Sequence, residues 1–178
     1  MTLPVRVAGQ GPYNFVVDTG SERSVISREL ATRLALESRG QARVIGLAEI
    51  VMADLFDTRS LDVHGVSLGG QTVPAFEQGD LGAPGLIGIQ SLEGHRLLID
   101  FVAGQMDIRP SARTRTPARD PEFDRDVIVV SARRVAGRMI LSNATLGGRR
   151  VDVIVDTGAQ SSIGNSAFRS LVERTNRH

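Results

Sequence analysis

The sequence repeats itself. Shifted by 138 residues, Gly9 falls on Gly147, Asp18-Thr19-Gly20 on Asp156-Thr157-Gly158, and Ser24 on Ser162. The same shift sets Ser27 on Asn165, Leu30 on Phe168 and Leu34 on Val172. Copies with matching flanks are expected to fold alike, so the chain has to hold two related units, and such a repeat takes precedence over local patterns.

Around the first copy the chain reads as a series of short β runs broken by Gly, Pro and Asp, the pattern of an all-β domain. The expected strands are Val5 to Val7, Tyr13 to Val17, Ala42 to Ile45, Ile50 to Leu55, Ser60 to Val63, Thr72 to Phe76, Arg96 to Phe101 and Gln105 to Arg109. One helix interrupts them, with Ser27 capping Arg28 to Leu36 and Leu30, Ala31 and Leu34 on one face. The segment 111–126 is polar, rich in Pro and Arg, and reads as a linker. Strands resume at Val127 to Val130, Arg138 to Leu141 and Val151 to Val155, and a capped helix starts at Asn165.

Composition closes several routes. Apolar residues make up 41% of the 178 and charged residues 23%, the balance of a soluble globular protein with no membrane-spanning run. No secretory signal is visible at Met1. Without cysteine there is no disulfide, thiolate metal site or cysteine nucleophile. All 21 basic residues are arginine, but they are dispersed and the net charge is only +1, so no nucleic-acid face is expected.

In each copy an apolar, largely β-branched triplet, Phe15-Val16-Val17 or Ile154-Val155 after Val153, runs into Asp-Thr-Gly. A buried strand thus enters a tight loop presenting a carboxylate, and the glycine permits a sharp turn and a close neighbour. Two such carboxylates held face to face cannot both ionise, so they share a proton. The pair can take a proton from water on one side and give one to a carbonyl or leaving amine on the other.

Together, Asp18-Thr19-Gly20-Ser21, Ser24 and the later run Leu86-Ile87-Gly88 resemble the retroviral-type (retropepsin-like) aspartic proteases and their bacterial relatives. The resemblance covers about residues 5–109. It implies an all-β, closed-barrel lobe with one short helix over residues 1–110, the linker 111–126, and a partial second lobe over 127–178. It casts Asp18 and Asp156 as catalytic carboxylates, with Thr19 and Thr157 bonding across the junction of the loops. Gly20, Gly158 and Ser21 belong to the loops, Ser21 hydrogen-bonding near the carboxylate where Ala159 cannot. Gly88 would close the segment behind the first loop, and Gly46 and Leu47 would lie at the tip of a flap over the substrate. The implied activity is endopeptidase cleavage of a polypeptide held as an extended strand, with no metal and no cofactor. A periplasmic or exported location follows from the resemblance only.

No flap candidate or second apolar-apolar-Gly segment follows Gly158. Either the chain is a fragment of a two-lobed protease, the reading preferred for its well-formed Asp156 loop, or two chains pair their first lobes as a homodimer. A catalytically inactive peptide-binding or dimerising module is the competing class, followed by an unrelated β domain with two fortuitous turns.

Blander assignments hold elsewhere. Ser24 and Ser162 read as turn caps. Gly65-Val66-Ser67-Leu68-Gly69 matches a nucleophile elbow in letters, yet a strand follows it where that motif needs a helix. His64, His95 and His178 are too scattered for a zinc site or a triad. Asn143-Ala144-Thr145 is a sequon that matters only on a eukaryotic secretory route.

Overall fold

Along β1 (Thr2–Val7), Leu3, Val5 and Val7 are buried while the residues between them are not, the two-residue period of a strand with one face on a core. A two-residue turn with positive φ at Ala8 (50°) and Gly9 (75°) leads into β2 (Gln10–Asp18), the twist that a tight hairpin prefers. The computed structural model describes residues 2–45, 50–100, 105–110, 133–135, 138–159 and 161–175.

After β2 come β3 (Val25–Ser27), α1 (Arg28–Arg33), β4 (Glu37–Ile45), β5 (Ile50–Asp57), β6 (Leu61–Val63), β7 (Val66–Ser67) and β8 (Thr72–Phe76). The short α2 (Gln78–Leu81), β9 (Gly85–Gly88) and a 3-10 turn at Ile89–Leu92 complete this part. The nine strands form one sheet in the order β4-β5-β8-β3-β9-β2-β1-β6-β7. Its core gathers Val5, Val7, Phe15, Val17, Ile26, Leu30, Leu61, Val63 and Ile87. The topology turns on β9, which pairs in parallel with β2 and antiparallel with β3.

Two hairpin systems follow: β10 (His95–Asp100) with β11 (Gln105–Pro110), and β12 (Arg133–Val135) with β13 (Arg138–Leu146) and β14 (Arg149–Ile154), before α3 (Ser166–Thr175). The second of these rebuilds the start of the chain. Pairs Thr2↔Val16 and Leu3↔Phe15 return as Ile140↔Ile154 and Leu141↔Val153. Gly147 and Gly148 make a like positive-φ turn, at 54° and 76°, one residue later in the repeat. The Asn165 side chain accepts from the Phe168 amide (2.8 Å) as Ser27 accepts from that of Leu30 (3.1 Å), each capping its helix.

The structure is mostly β, as expected, and each expected strand at described residues overlaps an observed one, with Ser60 and Val155 falling just outside theirs. Three differences are informative. The helix stops at Arg33 because Leu34 closes it and Ala35 turns to a φ of 49°. The three-residue β3 and two-residue β7 are too short to carry a period. As expected, Gly65 to Gly69 belongs to a tight turn between paired strands, β6 with β7, and is not a nucleophile elbow. The expected closed barrel is also not formed among the described residues: no pairing joins the end strands β4 and β7. Strand β4 instead extends outward with β5 as a long hairpin, exposed along most of its length. The expected flap tip Gly46-Leu47, the linker 111–126 and the strand Val127 to Val130 lie outside the described residues.

The hairpin is anchored at its base. Arg28 of α1 pairs with Asp54 of β5 and, at 2.9 Å, with Glu77 after β8, while the Gln41 amide donates to Asp54 at 2.7 Å. No described helix is long and apolar enough to cross a membrane.

Candidate active site

Strand β2 delivers Asp18 to the loop, and the loop returns two amides to it. Gly20 N (2.9 Å) and Ser21 N (3.0 Å) both donate to Asp18 Oδ1. In the second copy Gly158 N (2.9 Å) and Ala159 N (3.0 Å) donate to Asp156 Oδ1. The Ser21 hydroxyl does not join in, contrary to the expectation from sequence: it donates to the Arg23 carbonyl at 3.0 Å. The backbone amide serves the carboxylate, so Ala159 fills that position as well as serine does.

The two loops meet through their threonines. Thr19 N donates to Thr157 Oγ1 and Thr157 N to Thr19 Oγ1, each at 3.2 Å. The hydroxyls then donate onward across the junction, Thr19 Oγ1 to the Val155 carbonyl and Thr157 Oγ1 to the Val17 carbonyl, each at 2.6 Å. Thr19 is fully buried. Every bond of this set has its counterpart in the other half, which makes the junction a local two-fold arrangement.

Each loop glycine faces the opposite carboxylate. A Cβ at Gly158 would lie 2.8 Å from Asp18 Cγ, and one at Gly20 would strike Asp156 Cγ. Asp18 is half-buried and Asp156 exposed. Burial raises the Asp18 carboxyl above the ordinary aspartate value, the Asp156 charge and a hydrogen bond to it raise it further, and the Gly20 and Ser21 amides oppose the shift.

Behind the first loop, β9 runs beside β2 in the register Val16↔Leu86, Val17↔Ile87 and Asp18↔Gly88. Glycine is required at its end, since any Cβ at Gly88 would strike the Arg23 carbonyl group. Ser24 is not a turn cap. Its buried hydroxyl accepts from Gly88 N at 3.0 Å and meets Ser91 Oγ at 2.5 Å, and Ser91 donates to Gln71 Oε1 at 2.8 Å. Ile89 N and Gln90 N complete the attachment by donating to the carbonyls of Ser21 (2.9 Å) and Glu22 (3.0 Å). Gln71 and Ser91 were not legible as site residues, because neither stands in a motif and only the fold brings them to Ser24.

A cavity of about 420 Å³, lined in part by Arg23, Ser24, Gln71, Val73 and Gln90, opens beside this relay rather than at the aspartates. No second β9 backs the Asp156 loop among the described residues, and Ser162 is exposed where Ser24 is buried. On the hairpin over β4 and β5, Ile45 (81%), Ile50 (53%) and Met52 (59%) are exposed.

Residues 3–90 match the family model described as aspartyl protease. The matched span holds the Asp18 loop, the β4–β5 hairpin and β9, and excludes Asp156. Comparison with curated proteins finds no match.

Proposed function

We propose that this chain, a member of the aspartyl protease family through residues 3–90, is an aspartic-type endopeptidase in which Asp18 and Asp156 activate a water between them. The reading divides the chain into a lobe over 1–110, a linker over 111–126 and the start of a like lobe over 127–178. The observation that carries it is the reciprocal bonding of Thr19 and Thr157, which sets one carboxylate against the other.

The chemistry follows from a pair that holds one proton. The more buried Asp18 favours the neutral form, leaving Asp156 to act as the base. The base takes a proton from water as the water oxygen bonds to the scissile carbonyl carbon, and Asp18 gives its proton to the carbonyl oxygen. The resulting gem-diol collapses when Asp156 passes its proton to the amide nitrogen, the C–N bond breaks, and a gem-diol hydroxyl returns a proton to Asp18, leaving the carboxylic acid, the amine and the one-proton pair. One Oδ1 in each half is occupied by loop amides, so Oδ2 is the oxygen left for proton transfer. The substrate lies extended across the loops beneath the β4–β5 hairpin, where backbone pairing holds it.

The test is cleavage of a denatured protein at acid and neutral pH, with and without a transition-state-mimicking aspartic-protease inhibitor. Inhibitor-sensitive cleavage lost in both Asp18→Asn and Asp156→Asn is the expected result. Cleavage that survives Asp18→Asn sinks the assignment. Cleavage that survives Asp156→Asn alone points to Asp18 pairing with Asp18 of a second chain.

A further inference from the structure

The cavity of about 420 Å³ lies outside the chemistry assigned to the aspartates, and its volume is that of a small-molecule site. Part of its lining is already committed. The buried Ser24 hydroxyl accepts from Gly88 N at 3.0 Å and meets Ser91 Oγ. The Gln71 side chain accepts from Ser91 at 2.8 Å and donates to the Leu68 carbonyl at 3.2 Å. The rest of the polar lining is uncommitted: the side chains of Arg23, Thr72 and Gln90 have no hydrogen-bond or ion-pair partner among the described residues. Glu93 adds a carboxylate to the same wall.

We propose that this cavity binds the C-terminal end of a short peptide, its terminal carboxylate on the Arg23 guanidinium and its last amide groups on Gln90 and Thr72. The lining specifies the occupant. A guanidinium without a carboxylate partner offers paired N–H groups in the plane that a carboxylate matches. A single guanidinium sharing the cavity with Glu93 suits one negative charge and disfavours a phosphate dianion. The remaining open groups, a primary amide and a hydroxyl, both donate and accept, which suits peptide groups better than an apolar ligand. Capture of a C-terminal carboxylate is a recurring mode of peptide recognition. Peptide hydrolysis makes one such carboxylate with each bond it cuts, so the ligand is a product of the proposed reaction; its source rests on that reading, while its binding does not. Ser24 lines the cavity and holds the Gly88 amide, so a seated peptide bears on the segment that backs Asp18.

The test uses the Asp18→Asn chain and the peptide Gly-Ala-Ala labelled at its amino end, prepared as the free acid and as the C-terminal amide, with anisotropy as the readout. Saturable one-to-one binding of the acid is expected, and binding of the amide about tenfold or more weaker. Arg23→Gln is expected to lower the affinity for the acid to that for the amide, and Gln90→Leu to weaken both forms. Both residues are exposed, so their replacement leaves the fold intact. No binding of the acid, equal binding of acid and amide, or acid binding unchanged by Arg23→Gln overturns the proposal. So does displacement by a transition-state-mimicking aspartic-protease inhibitor, which would put the peptide at the aspartates. Displacement by acetate at the peptide's own concentration also overturns it, since a free carboxylate is then the ligand. None of these readouts needs hydrolysis, so a chain that selects the acid but whose parent cleaves nothing keeps this site and loses the proposed activity.

Discussion

Thr19 and Thr157 each donate a backbone N–H to the other's hydroxyl at 3.2 Å, and each hydroxyl donates at 2.6 Å to a carbonyl of the opposite half. Each threonine finds its partners in the opposite loop. Thr157→Val keeps the shape but leaves the Val17 carbonyl and the Thr19 amide without their partner. It is expected to cost about 1–3 kcal/mol of stability in urea unfolding and to lower kcat/KM more than tenfold. Thr157→Ser, which keeps the hydroxyl, is expected to retain most of both.

The raised Asp18 pKa fixes a sign. A carboxyl that is harder to ionise folded than unfolded weakens folding as pH rises through the unfolded value, until the folded value is passed. Asp18→Asn removes this penalty. The variant is expected to match the parent in thermal stability at low pH, to exceed it increasingly as pH rises above the ordinary aspartate value, and to be inactive throughout.

Gly20 allows Asp156 to approach. Gly20→Ala puts a methyl group against Asp156 Cγ, and Gly158→Ala puts one 2.8 Å from Asp18 Cγ. Both are expected to push the carboxylates apart, removing activity while far-ultraviolet circular dichroism stays unchanged. A lower midpoint in the titration of Asp18 by NMR accompanies the loss, since the Asp156 charge then acts from farther away.

Equivalent serines are expected to respond unequally. Ser24→Ala leaves the buried Gly88 amide without an acceptor and should cost about 1–3 kcal/mol. Ser162→Ala at the exposed counterpart should stay within about 0.5 kcal/mol. Parallel denaturant titrations compare the two, and equal costs would contradict the relay described behind Asp18.

Much of this site could be read from the letters alone, because Asp-Thr-Gly with its apolar lead-in forms within one stretch of chain and occurs twice. The helix caps Ser27 and Asn165 were legible for the same reason, each bonding an amide three residues on. What escaped depends on distant segments. The resemblance placed Leu86-Ile87-Gly88 behind the first loop, but its pairing as a strand with both β2 and β3 is a matter of topology, and Gln71 and Ser91 reach Ser24 only through it. The Ser21 hydroxyl was misjudged because its own loop offers two acceptors, and geometry alone chooses the Arg23 carbonyl. Barrel closure was expected from the family resemblance, which does not say that β4 and β5 leave the sheet as a projecting hairpin.

The bonds between Thr19 and Thr157 join residues of one polypeptide. Bringing Asp18 to Asp156 is therefore a unimolecular step, set by how well the chain closes on itself and indifferent to how many other molecules are near. Specific activity is expected to stay constant over a thousandfold dilution, about the range across which a weak pair of chains would dissociate. On the proposed reading the two carboxylates meet without a second molecule, which leaves access to the cleft as the point of restraint.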